Sequence, residues 1–259
     1  MNLLTDNKIW YFILSIYKRD LIDLKDINII LFHDIVDNKI PENTILLCLY
    51  IEKLSNIKSN NMEFIIKTLN HKSNFVNYLK NMNFDIYIPT IYDQKTLDKN
   101  SFPIIIKDNV GIAGIGTEIF KNYEEYLPKF YNKNINDRII QKYILSDMEY
   151  SGHYLCKNGK IIHSIIFEQK TKKYEIKRGS FTNYIISNKL KDIHIFQQIL
   201  EKINYNGFCC FDYVYEIDTD NLKIFEMNPR IGGTLMKNKK YFFEFIEKAS
   251  INKIFLNPT

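Results

Sequence analysis

The chain has 259 residues, 46% of them hydrophobic and 25% charged, with a formal net charge of +5. Those totals fit a soluble globular chain of one large or two modest domains with ample core. The basic residues are scattered, without the focused stripe that nucleic-acid binding requires, so no nucleic-acid partner is expected.

The first apolar run, Ile9–Tyr17, is too short to span a bilayer and lacks the basic leader and small-residue cleavage site of a signal peptide. A buried strand is expected there, in a cytoplasmic protein with no membrane partner. Further short apolar runs at Ile27–Phe32 and Thr44–Ile51 suggest that residues 1–65 form a small α/β layer. Phe75, Val76, Leu79 and Met82 then recur at helical spacing. Pro89 and Pro103 break the chain before the strand "IIIK" and a glycine cluster. Strands follow at "RIIQKYI" and "KIIHSIIF". Ile193, Phe196, Leu200 and Ile203 mark a helix face, and "FCCFDYVYEI" and "LKIFEMN" are two strands around a polar turn. "YFFEFIEKA" closes the chain as a helix. Strands and helices mix without a strict βαβ rhythm, which favours an α+β architecture with antiparallel hairpins.

Cys48, Cys156, Cys209 and Cys210 form no C-x-x-C pair, and no His stands at ligand spacing. Buried free thiols in a reducing compartment are expected, rather than a zinc site or a disulfide framework.

A hairpin centred on Thr219 pairs residues whose numbers share a constant sum. Glu216 then faces Leu222, and Asp212 faces Glu226 with Cβ atoms about 4.5–5.5 Å apart. Asn228 lies on the same face as Glu226. Like charges directly opposite destabilise a sheet, and a hard divalent cation with oxygen ligands resolves the conflict. Pro229 would keep Asn228 extended, and Arg230 would follow with a fork of donors suited to phosphate or carboxylate. An exposed hairpin with ordinary charges would carry the same residues.

All nine glycines fall at or after Gly111, and Gly111, Gly114 and Gly116 lie within six residues. Such a turn offers backbone N–H groups to phosphates. Its G-x-x-G-x-G order is neither the dinucleotide nor the Walker pattern, and a plain glycine-rich hairpin turn remains open.

In order, "HKSNFVNYL…IPT", "FPIIIKDNVGIAGIG", "IIQKYILSDMEYSGHYL", "GFCCFDYV" and "FEMNPRIGG" resemble the ATP-grasp superfamily over roughly residues 70–233. The resemblance implies two α+β lobes sandwiching ATP over residues 66–259, with a nucleotide lid at about 85–140. A small α/β pre-ATP-grasp domain would precede them at 1–65. It implies Lys72 and Lys107 near the phosphates, with Gly111, Gly114 and Gly116 covering them. Gln141, Lys142, Tyr143 and Ile144 would read adenine, largely through backbone groups, and Glu149 would bond the ribose. Asp212, Glu226 and Asn228 would hold Mg²⁺, with Mn²⁺ as an alternative. Arg230, with Lys107, would serve the reacting centre. The segment "YEIKRGSFTNY" would flank the acceptor site, where Lys177 and Arg178 either bind a substrate carboxylate or form a solvated basic turn. Asp212 stands where Glu is commoner, and the hinge lacks the glycine that many members carry.

The activity implied is an ADP-forming carboxylate–amine (or thiol) ligase acting through an acyl phosphate on a small acid and a nucleophile. A bicarbonate-using carboxylase subunit and a non-catalytic ATP-binding regulator are the alternatives. A homodimer is left open.

Overall fold

The computed structural model describes residues 1–20, 28–31, 41–47, 62–111, 114–130, 135–176, 184–187 and 191–254. Asn2–Thr5 (β1) lies between Asn28–Leu31 (β2) and Thr44–Leu46 (β3) in a parallel sheet. Lys8–Asp20 (α1) follows β1.

The strand expected at Ile9–Tyr17 is therefore a helix. Trp10, Ile13, Leu14 and Tyr17 recur at the 3.6-residue period, and Trp10 and Leu14 are buried while Ile9 and Phe12 face outward. Asn7 starts the helix by accepting from the N–H of Ile9 (2.8 Å) and of Trp10 (3.1 Å). Lys18 and Arg19 suit the negative end of the helix dipole. A run of large apolar residues hides its period, because the outward positions are apolar too.

Met62–Phe64 (α2) continues into a π-helical turn at Ile65–Leu69, and Lys72–Asn81 (α3) follows. A four-stranded antiparallel sheet comes next. Its strands are Ile91–Tyr92 (β4), Ile104–Asp108 (β5), Glu118–Phe120 (β6) and Arg138–Lys142 (β7), in the order β4-β7-β5-β6. Tyr123–Phe130 (α4) packs on it through Tyr126 and Phe130, against Ile104, Ile106 and Phe120.

The larger sheet is antiparallel and has five strands. They are Met148–Lys157 (β8), Lys160–Lys170 (β9), Ile185–Ile186 (β10), Gly207–Tyr215 (β11) and Leu222–Asn228 (β12), in the order β10-β9-β8-β11-β12. Ile193–Lys202 (α5) and α3 cover one face. Phe75, Val76, Leu79, Phe196, Ile199 and Leu200 meet Cys209, Phe211, Tyr213 and Tyr215 there. The other face is covered at one end by α1, Gly233–Lys237 (α6) and Lys239–Ile251 (α7), which pack on Leu155, Phe167 and Phe208. Side chains alternate along β11. Its odd-numbered residues feed the α3/α5 core, while Phe208 meets the α7 side and Cys210, Asp212 and Val214 open into a cavity.

Cys156, Cys209 and Cys210 are free and buried, as expected; Cys48 lies outside the described residues. Among the described residues no helix is long and apolar enough to cross a membrane.

Phe196 is fully buried, with its ring 5.0 Å from Phe211 and 4.9 Å from Tyr213. Phe196→Ala should lower unfolding free energy by about 3–5 kcal/mol, read from a urea titration. A loss under about 1 kcal/mol would mean that α5 does not anchor this sheet.

Candidate active site

A cavity of about 480 Å³ runs between the two antiparallel sheets and reaches α1 and α6. Its floor is the part of that face of β8, β11 and β12 which α1, α6 and α7 leave uncovered. Register places Ser151, Asp212 and Glu226 in one row, with His153, Cys210 and Asn228 in the next.

The expected pairing of Asp212 with Glu226 holds. The register toward the turn does not: Tyr215, not Glu216, faces Leu222. Between Asp212 and Tyr213 the ladder slips, with one step on β11 matched by two on β12. The extra residue is Phe225, a β-bulge. It lets two successive residues, Phe225 and Glu226, both line the cavity, which strict alternation would forbid. The Phe225 ring then lies under Lys107, its Nζ 4.3 Å from the ring centroid.

The carboxylate pair is heavily partnered. Ser151 Oγ donates to Asp212 Oδ1 at 2.6 Å. Asn228 Nδ2 donates to Asp212 Oδ2 (3.1 Å) and to Glu226 Oε1 (3.2 Å). Lys72 Nζ pairs with Glu226 Oε2 at 3.0 Å. Arg230 donates from one terminal nitrogen to Asn228 Oδ1 at 3.0 Å. Burial and the facing Glu226 carboxylate push the Asp212 carboxyl up from its ordinary value. Burial also works against the Glu226 charge, but Lys72 and Lys107 outweigh it and hold that carboxyl down. Lys107 is pushed down to about 8, chiefly by burial, against the pull of Glu226.

A divalent cation fits this set. Two carboxylates and an amide oxygen are hard donors, and a cation between them would remove the penalty that raises Asp212. Asn228 would have to turn its amide oxygen inward, a rotation that leaves the backbone untouched. Among the described residues no group of three or more His, Cys, Asp or Glu side chains is gathered to hold a metal. The third donor here is the Asn.

The two lysines meet because β5 is tied to the start of α3. Lys72 N–H donates to the carbonyl of Asn109 (2.9 Å), and Ser73 N–H to its side-chain oxygen (3.1 Å). Asn109, two residues past Lys107, thus fixes the helix that begins with Lys72. The glycine turn leaves the same strand. Arg138 holds its base, pairing with Asp108 (2.9 Å) and Glu118 (3.2 Å) and donating to the carbonyl of Gly116. Gly116 has a φ of +72°, and a Cβ there would strike the Asp108 carboxylate.

Most of the expected residues come together. Lys72, Lys107, Gly111, Gly114, Tyr143, Ile144, Glu149, Asp212, Glu226, Asn228 and Arg230 all line the cavity. Three take other places among the described residues. Gly116 forms the base of the turn. Gln141 is buried in β7 beside Ile105, and Lys142 points outward to Glu216 at 3.2 Å. Lys177 and Arg178 lie outside the described residues. Sequence reasoning missed Ser151, Phe225, Tyr184 and Thr234, together with Asn7, Ile9, Trp10 and Ile13 of the first helix segment. The period of Trp10, Ile13, Leu14 and Tyr17 was the available signal for the last group.

Two lobes closing on a strip of carboxylates, lysines and a glycine turn define a nucleotide-dependent class of fold. Residues 69–234 match the model of the ATP-grasp domain, and the chain belongs to the ATP-grasp family. Membership makes ATP with Mg²⁺ the cofactor pair of the cavity. The fold resembles L-amino acid ligase from Bacillus licheniformis, at 14% identity and a TM-score of 0.61, over 90% of this chain and 68% of that one. It also resembles D-alanine–D-alanine ligase from Bacillus anthracis, at 14% and 0.59, over 97% and 98%. N5-carboxyaminoimidazole ribonucleotide synthetase from Thermotoga maritima matches at 12% and 0.58, over 97% and 75%. At such identities the likeness is one of fold. No curated protein matches by sequence.

Glu226→Gln removes one of the two carboxylates without changing shape. Mg²⁺-dependent ATP binding should weaken at least about tenfold by calorimetry, while the unfolding free energy moves by less than about 1 kcal/mol. Unchanged Mg²⁺ dependence would remove Glu226 from the metal set.

Proposed function

We propose that the protein is an ATP-dependent carboxylate–amine (or thiol) ligase that releases ADP and phosphate. The observation that carries this is the cation-ready cluster of Asp212, Glu226 and Asn228, with Lys72 paired to Glu226, Lys107 in the same cavity and Arg230 bonded to Asn228. The neighbouring ligases of the same fold support it.

In this reading Ile105, Ile119, Ile144 and Val214 receive the base, and Glu149 the ribose. Lys72, Lys107 and the backbone of the Gly111–Gly116 turn take the phosphates. Asp212, Glu226 and Asn228 would hold a magnesium ion, with Ser151 orienting the Asp212 carboxylate, and that ion would supply neutralisation of the phosphate charge. Arg230 presents a fork of donors beside that cluster and receives the acid's carboxylate. A carboxylate oxygen attacks the γ-phosphorus, the bond to the β–γ bridging oxygen breaks, and ADP leaves. The amine nitrogen then attacks the acyl carbon, the carbon–oxygen bond to phosphate breaks, and the nitrogen's proton passes to the departing phosphate. The chain supplies position and charge. The parallel β2-β1-β3 layer with α1 serves as a pre-ATP-grasp unit at 1–65, of which Asn7, Ile9, Trp10 and Ile13 line the cavity. The acceptor side falls to residues around 177–178.

The products test the reading. With ATP, Mg²⁺, a competent acid and hydroxylamine, ADP and a hydroxamate should form together. AMP and pyrophosphate would overturn the γ-phosphoryl mechanism, and no nucleotide turnover with any acid would favour the regulator.

A further inference from the structure

Arg138 opens β7 and stands behind the cavity wall, outside its lining. Its guanidinium is taken up by the two ends of the glycine turn. It lies opposite Asp108 on β5, and its Nε is 2.9 Å from Asp108 Oδ1, an ion pair rather than an aligned hydrogen bond. It then reaches past β5 to β6. One terminal nitrogen donates to Glu118 Oε1 at 3.2 Å, and the other donates to the carbonyl of Gly116. Asp108 precedes the turn, while Gly116 and Glu118 end it, so one side chain grips both ends and three strands.

The grip is tightly built. The Arg138 side chain is only 16% exposed, and its guanidinium packs 5.3 Å from the centroid of the Phe130 ring. The Asp108 carboxylate fills the space beneath Gly116 that a Cβ would need. The residue before Arg138 extends the same function. The carbonyl of Asp137 accepts from Asn109 N–H at 3.1 Å, and Asn109 in turn holds the backbone of Lys72 and Ser73. The start of β7 thus reaches both the glycine turn and Lys72.

We propose that Arg138 is a positioning residue for the phosphates. Acting from outside the cavity, it sets the two ends of the glycine turn so that the turn's backbone N–H groups meet phosphate oxygens. The proposal rests on the reading above in which that turn takes the phosphates. Asp108 and Glu118 already neutralise the guanidinium, so its contribution is geometric rather than a field at the cavity. A planar fork with several donors can hold two carboxylates and a carbonyl together, which a lysine ammonium on a flexible stem does poorly. Loss of the fork frees the ends of the turn. It also leaves two carboxylates short of a cation at the base of a phosphate-binding loop, where they repel the incoming phosphates.

Calorimetry on the full chain, with a nonhydrolysable ATP analogue plus Mg²⁺ and with adenosine, separates phosphate from base. Arg138→Gln should weaken the analogue at least about tenfold and adenosine by less than about twofold, since a small misplacement of a binding group is costly only to what that group touches. Arg138→Lys keeps the charge and loses the fork, and should weaken the analogue at least about threefold with adenosine again unchanged. Should Arg138→Gln fail to unfold cooperatively in urea, Arg138→Lys decides by the same ratio. A loss shared equally by adenosine would make Arg138 a structural residue alone and overturn the inference, as would full analogue affinity in the folded variants. Either result leaves the phosphate reading of the turn standing. Wild-type protein that binds adenosine as tightly as the analogue would remove the phosphates from the turn, and this inference with them.

Discussion

Asp212 and Glu226 face each other across two hydrogen-bonded strands, and most of the site follows from making that pairing tolerable. Like charges at this separation repel, and burial strengthens the repulsion. The chain answers with counter-charge from several directions. Lys72 arrives at the N-terminus of α3, Lys107 at the end of β5, and Arg230 just past β12. Ser151 and Asn228 fill lone pairs on the carboxylates. Such a cluster is poor stability design, since replacing buried ionic groups by apolar ones is often stabilising. It is good preorganisation for a divalent cation and phosphates.

Elements distant in sequence are tied together to deliver those groups. Asn109 bonds both Lys72 and Ser73, so the smaller sheet and α3 share one anchor point. Arg138 binds the base of the glycine turn to β7. At the other end, a Cβ on Gly232 would come 2.5 Å from the His153 ring, so only glycine lets the segment after Arg230 lie so close to β8. His153 in turn bonds Thr234 at 2.6 Å, and burial followed by the nearby Arg230 depresses its basicity to about 3. A neutral imidazole there links β8 to α6 without adding charge to a crowded site.

The large sheet divides its labour by residue parity. Odd positions of β11 build the aromatic core with α3 and α5, which makes the strand rigid. Cys210, Asp212 and Val214, on the other face, are thereby held in fixed relation to one another. The bulge at Phe225 breaks parity on the partner strand once, where it brings an aromatic ring beneath Lys107 without moving Glu226 from its place opposite Asp212.

Local pattern alone determined a good deal. Alternation in "FCCFDYVYEI" and "LKIFEMN" was enough for two strands, whereas counting back from the polar turn opposed Asp212 to Glu226 only because the bulge at Phe225 offsets the one-residue shift at the turn. The ordered motifs from Lys72 to Gly233 were enough for the family. These are properties of short segments, or of order along the chain, and they survive without knowledge of packing. The tertiary structure decided the rest. It made Ile9–Tyr17 a helix, because its outward positions are as apolar as its inward ones and only docking against α6 and α7 distinguishes them. It slipped the hairpin by one residue near the turn, because a bulge is settled by what the extra side chain packs against, here Lys107. And it brought α1 to the end of the cavity, more than 200 residues from Met236, a contact that no local period encodes.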